Sequence, residues 1–148
     1  MDYKKIFSTL IALTLIVITQ ACSKTTKEAA RVSKQAESRI LEVDDSQAYK
    51  EIFASEKPVF IEFYATWCGP CKILAPRLEA VAEKLDSKVK FVKVNVENAP
   101  NLVEKYKIDS IPQMYFYSSK CTDEDPIYGV RSKAQITGFI EEKLKDCQ

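Results

Sequence analysis

Between Pro58 and Leu85 the order of residue types leaves the chain little freedom in how it folds. Val59-Phe60-Ile61-Glu62-Phe63-Tyr64 is a nearly continuous apolar run of strand length, the pattern of a central strand buried on both faces. Trp67-Cys68-Gly69-Pro70-Cys71 follows at its C-terminal end, where open α/β sheets place their chemistry. Helical periodicity then runs through Leu74, Leu78, Val81 and Leu85, with Pro76 inside it, where a kink is predicted. A strand therefore delivers two closely spaced cysteines to the start of a helix.

That position gives the pair its chemistry. At a helix N-terminus the unpaired backbone N–H groups and the macrodipole stabilise a thiolate on Cys68. Cys71 lies one turn further on the same face, within reach of the first sulfur. In such a dithiol the outer thiol attacks and the inner one resolves the mixed disulfide. Gly69 lets a partner chain approach closely, and Pro70 is tolerated in the first turn because no intrahelical N–H bond is lost there. The alternatives are half a zinc site or an accidental pair. Zinc takes four ligands, commonly including histidine; this chain has no histidine, and its other cysteines, Cys22, Cys121 and Cys147, stand alone in the sequence. No metal and no cofactor are expected. The lack of histidine also argues against Ser-His and Cys-His hydrolase chemistry. A formal charge of +1 over 148 residues, with no interleaved basic-aromatic stripe, argues against nucleic acid as a partner.

The N-terminus reads as a targeting segment. Lys4 and Lys5 precede an apolar run from Ile6 to Thr19, short for a membrane span but the right length for the core of a secretory signal peptide, residues 1–21. The segment ends Thr19-Gln20-Ala21-Cys22, similar to the lipobox of bacterial lipoproteins, in which the cysteine is lipidated. Thr19 stands where Leu is usual and Gln20 is also unusual, so ordinary cleavage after Ala21 or an uncleaved anchor are the alternatives. Cleavage before Cys22 leaves 20 basic against 20 acidic residues, so attachment comes from lipid rather than from a polybasic surface. Residues 22–38 are polar and nearly free of large apolar side chains, which reads as a tether below a domain spanning 39–148.

Within that domain, Ile40 to Val43 reads as a strand, and Asp44, Asp45 and Ser46 are N-cap candidates for a helix carrying Tyr49, Ile52 and Phe53. Val89–Val96 reads as another strand, and Asn98 and Pro100 open a short helix ending near Tyr106. Residues 114–117 and 127–130 read as two further strands, and Ser132 caps a final amphipathic helix. The order β-α-β-α-β-α-β-β-α, with a late antiparallel hairpin, implies an α/β fold with a central mixed sheet flanked by helices.

From about residue 40 to 146 the chain resembles thioredoxin. Trp67-Cys68-Gly69-Pro70-Cys71-Lys72, the Pro76 kink, Val92-Lys93-Val94-Asn95, Ile111-Pro112 and Gly129 fall in that family's order and spacing. The interval from Cys71 to Pro112 leaves no room for the helix–strand insertion of relatives that serve cytochrome maturation. The resemblance implies a cis peptide bond before Pro112, pressing that turn against the sulfurs, with the Ile111 backbone available to an extended substrate. It places Glu62 where the family has a buried Asp beneath the inner cysteine, a carboxyl group able to exchange a proton with that thiol, and Lys93 where a lysine pairs with the carboxylate. Glu is one methylene longer than Asp, which changes its reach to Cys71. Gln113 replaces a usual Thr. Trp67 shields the sulfurs and adds contact surface, while Tyr64 reads as core.

Cys121 lies in a connection longer and more acidic than the family's usual turn. Its strand and the last helix both run away from the dithiol, which places Cys121 and Cys147 at the opposite pole. In an oxidising compartment they form a structural disulfide, worth about 3 kcal/mol for a loop of this length; two free thiols or contact with a partner chain are the alternatives.

Together these readings describe an envelope thiol–disulfide oxidoreductase, anchored on the periplasmic side through Cys22, that reduces disulfides of exported proteins. Its electrons are expected from a membrane thiol-relay protein. The Gly-Pro pair between the cysteines resembles that of reducing thioredoxins, whereas oxidases of the superfamily commonly carry a His there. An oxidase or isomerase of the same fold, or a peptide-binding module without turnover, are the competing readings.

Overall fold

A computed structural model of the chain describes residues 38–121 and 125–147. The expected signal segment and Cys22 lie outside the described residues, as does the tether apart from Ser38. Ser38 already belongs to the folded part, since its hydroxyl donates to Glu79 Oε1 at 2.6 Å.

The apolar run becomes the middle strand of a five-stranded sheet. With β1 at Ile40–Glu42, β2 at Val59–Tyr64, β3 at Lys90–Asn95, β4 at Gln113–Tyr117 and β5 at Ile127–Tyr128, the order is β1-β3-β2-β4-β5. β1 and β2 pair parallel to β3, while β4 runs antiparallel to both β2 and β5, so the sheet is mixed. A run without polar alternation suits β2 because both of its faces are covered. Phe60 packs with Leu74 and Leu78 of α1 (Gly69–Leu85) and with Ile136 and Ile140 of α3 (Lys133–Asp146). Val59, Ile61 and Phe63 pack on the other side with Ile52 and with Leu102 of α2 (Pro100–Lys105).

The expected first helix is only a π-helical turn, Tyr49–Phe53, closed by the Ala54 N–H donating to the Tyr49 carbonyl at 2.8 Å. Of its expected caps, Asp44 acts at the turn leading into it: Asp44 Oδ1 accepts from the N–H groups of Ser46 and Gln47, and the Gln47 side chain accepts from the Asp44 N–H, the reciprocal pattern of a capping box. Asp45 reaches across the fold and accepts from the N–H groups of Asn101 and Leu102, both at 2.9 Å, so it caps α2, whose flanking Ala99 has no side chain able to do so.

α1 continues through Pro76 and buries Cys71, Leu74, Leu78, Val81 and Leu85 along one stripe. Ser132 and Gln135 form a reciprocal capping box at the start of α3. β5 is shorter than the pattern predicts because Gly129 takes a positive φ of 70° and turns the chain away. From there its N–H donates to the Pro112 carbonyl at 2.8 Å, tying the hairpin to the turn beside the dithiol.

Candidate active site

Tyr64 ends β2, and a short turn brings Cys68 to the N-cap of α1 in an extended conformation. Its Sγ accepts a hydrogen bond from the Cys71 N–H at 3.1 Å, one of the helix-terminal donors that lack a backbone partner. The two sulfurs are joined, with an S–S distance of 2.03 Å and Cα atoms 5.3 Å apart. On opening of that bond, the same N–H and the positive end of the helix face the Cys68 sulfur and favour its thiolate. Pro70, in the first turn, removes no helical hydrogen bond.

The pair sits on Ala65 and is flanked by Tyr64, Val96 and Ile111. The Ile111–Pro112 bond is cis, and Ile111 is what the turn lays against the cysteines. Among the described residues nothing lies within 4 Å of where a Cβ at Gly69 would stand, which leaves that side open to a substrate. Trp67 projects with 66% of its surface exposed, and its indole N–H donates to Glu97 Oε1 at 3.1 Å. Glu97 is a feature of the rim that sequence reasoning missed; a Glu in the polar segment after β3 carries no local signal of such a contact. Gln113 does not face a substrate. It is 1% exposed, and its side-chain amide donates to the Tyr115 hydroxyl, which donates to the Tyr106 carbonyl.

In β2, two residues before Tyr64, Glu62 is buried, and its Oε1 has no hydrogen-bond partner. Burial pushes its pKa up to about 7, against the opposing pull of the Lys93 charge. Lys93 is the register neighbour of Glu62 across β2 and β3. The ion pair expected between them is absent, however, since Lys93 Nζ pairs with Glu42 Oε2 at 3.3 Å. An ammonium group loses less hydration beside the half-exposed Glu42 than beside a buried carboxyl group. Tyr64, read as core from sequence, is polar in use: its hydroxyl donates to Glu42 Oε1 at 2.9 Å, and its ring lies 5.3 Å from Lys93 Nζ. Burial, with help from the Glu42 carboxylate, pushes the Tyr64 phenol up to about 12, so it remains a donor at neutral pH.

Cys121 and Cys147 are bonded to each other with Cα atoms 5.3 Å apart. The bond ties the connection after β4 to the end of α3, and Cys147 is buried within the apolar layer around Leu78 and Ile140. Among the described residues no cluster of three or more His, Cys, Asp or Glu side chains is arranged to hold a metal ion, and no helix is long and apolar enough to cross a membrane.

Residues 39–142 match the Thioredoxin family. The chain is 35% identical over 105 residues to a thioredoxin of Acidithiobacillus ferridurans, covering 71% of this chain and 96% of that protein. It is 34% identical over 112 residues to an M-type chloroplastic thioredoxin of Spinacia oleracea, covering 76% of this chain and 61% of the relative. Among solved structures it resembles chloroplastic thioredoxin z, with a TM-score of 0.62 and 30% identity over 70% of this chain and 92% of that one.

Proposed function

The chain belongs to the thioredoxin family, as a thiol–disulfide oxidoreductase, and from that premise we propose that it reduces disulfides of exported proteins at the bacterial cell envelope. The observation that carries this reading is the Cys68 sulfur at the N-terminus of α1, beside the Ile111–Pro112 turn and with open space over Gly69.

The reduced enzyme begins with a Cys68 thiolate and a Cys71 thiol. An extended substrate segment docks on the Ile111 backbone, against Trp67 and over Gly69-Pro70. The Cys68 thiolate attacks one substrate sulfur; a mixed disulfide forms, and the other substrate sulfur leaves as a thiolate that takes up a proton. Cys71 then loses its proton and attacks Cys68 Sγ, which frees the second substrate sulfur. Two electrons have passed from the enzyme dithiol to the substrate, and the enzyme is left as the Cys68–Cys71 disulfide. Glu62 accepts the Cys71 proton. A carboxyl group whose pKa lies near 7 is matched to that exchange at neutral pH, and Lys93 favours its ionised form.

Export and anchoring rest on the sequence of residues 1–38: the basic and apolar leader, Cys22 placed for lipidation, and the polar tether. In an oxidising space the disulfide must be re-reduced, and a membrane thiol-relay protein is the donor proposed.

Cys71→Ala tests turnover. With the resolving thiol gone, the enzyme accumulates mixed disulfides through Cys68, visible as adducts on non-reducing gels. A peptide-binding module would bind its targets unchanged. Cys22→Ala tests the anchor, since a lipoprotein moves from the membrane to the soluble fraction when the lipidated residue is removed.

A further inference from the structure

Glu42, Lys93 and Glu62 occupy one row across three neighbouring strands. Glu42 is the register partner of Lys93 across β1 and β3, and Lys93 is that of Glu62 across β3 and β2. A lysine stands between two carboxyl groups and pairs with the outer one. Both Glu42 oxygens are engaged: Oε2 by Lys93 Nζ at 3.3 Å, Oε1 by the Tyr64 hydroxyl at 2.9 Å. The Tyr64 ring also flanks the ammonium group, 5.3 Å from its centroid. Glu62, by contrast, keeps a buried oxygen with no partner.

We propose that Glu42 and Tyr64 are positioning residues: together they clamp the Lys93 ammonium group at the sheet edge, away from Glu62, and thereby set the proton affinity of the Glu62 carboxyl group. This rests on the proton-exchange role given to Glu62 above and names the residues that regulate it.

The proton affinity of Glu62 depends on where one positive charge resides. An opposite charge within about 4–6 Å lowers a carboxyl pKa strongly, and the effect fades as the charge moves outward into solvent. If Lys93 settled on Glu62, the ionised form would be favoured at every working pH, and the carboxyl group would be a poor source of a proton when the disulfide is reopened. Held by Glu42, the ammonium group acts on Glu62 only through space, and burial keeps the upper hand. Tyr64 makes the clamp selective. Its hydroxyl fixes the Glu42 carboxylate, and its raised pKa keeps that hydroxyl protonated across the range in which Glu62 titrates. Of the two register neighbours of Glu62, Met114 on β4 carries no charge, which leaves Lys93 on β3 as the charged one.

The test follows Glu62 directly, by difference infrared spectroscopy or by NMR of carboxyl-labelled glutamate in the oxidised full chain, with Glu62→Gln identifying the signal. In Glu42→Gln the clamp loses its charge, Lys93 turns inward, and the Glu62 midpoint falls by about one pH unit. Tyr64→Phe keeps the ring but frees Glu42, and the midpoint falls by less. A second background separates the clamp from the direct effect of the Glu42 charge. With Lys93→Met already in place, Glu42→Gln has little left to change. An unchanged midpoint in both single variants overturns the proposal, and so does a fall of equal size with and without Lys93. Glu42→Asp, which retains the charge, restores most of the original midpoint and guards against a general loosening of the fold. The readout is independent of turnover, so the clamp can fail while the reductase reading stands, and the converse.

Discussion

The molecule carries the same covalent bond twice, in opposite surroundings. Cys68–Cys71 spans a sequence separation of 3 at the N-terminus of α1, while Cys121–Cys147 spans 26 and closes on the C-cap of α3. The first sulfur pair meets a helix N–H group and the Ile111 side of a cis-proline turn. The second packs on apolar side chains, and Cys147 lies at the carbonyl end of a helix, where the dipole disfavours a thiolate. Chain entropy divides them in the same sense, since closing the longer loop constrains the unfolded chain by about 3 kcal/mol and the shorter one by roughly half that. A disulfide becomes a catalyst or a staple through its neighbours, not through the bond itself.

The sharpest way to break this contrast is to delete one pair at a time. Cys68→Ser removes the attacking sulfur, and reduction of a protein disulfide by the prereduced enzyme should fall by at least about three orders of magnitude, to the background rate. Replacing both Cys121 and Cys147 by Ala should leave that rate within about twofold and lower unfolding stability by about 3 kcal/mol in urea titrations. A large loss of rate in the second variant would mean the far bond is not merely a staple.

Glu62 sharpens the comparison through pH. Its folded-state pKa of about 7 lies above the 4.5 of an exposed Glu, so between those values the folded state holds the proton more often than the unfolded state. The stability it contributes is complete below pH 4.5 and is lost as pH rises through 7, by an order-of-magnitude figure of about 3 kcal/mol. Glu62→Gln should abolish this slope, and denaturation at about pH 5 and about pH 8 measures it. The smallest expected effect is at the structural side: Ser132→Ala removes the cap of the helix bearing Cys147 and should cost about 1 kcal/mol without changing the reduction rate.

What was legible in the sequence is local. An apolar strand, two cysteines at helical spacing and a capping serine each declare themselves within a few residues. What escaped depends on lateral neighbours in the sheet. Asp45 reads as a cap for the segment that follows it, yet its carboxylate serves N–H groups 56 and 57 residues later. Lys93 lies beside two carboxyl groups, and which one it takes depends on their burial, which strand order decides. Tyr64 looks like core in a run of apolar residues until β1 brings Glu42 to its hydroxyl.

The most direct test is the reduction potential of each cysteine pair in the same molecule, measured by equilibration with thiol–disulfide buffers and mass spectrometry of alkylated peptides. Cys68–Cys71 should prove a reducing pair, near the roughly −270 mV of thioredoxins, with Cys121–Cys147 still oxidised at that poise. A value for Cys68–Cys71 near the roughly −120 mV of disulfide donors would contradict it and make the protein an oxidase.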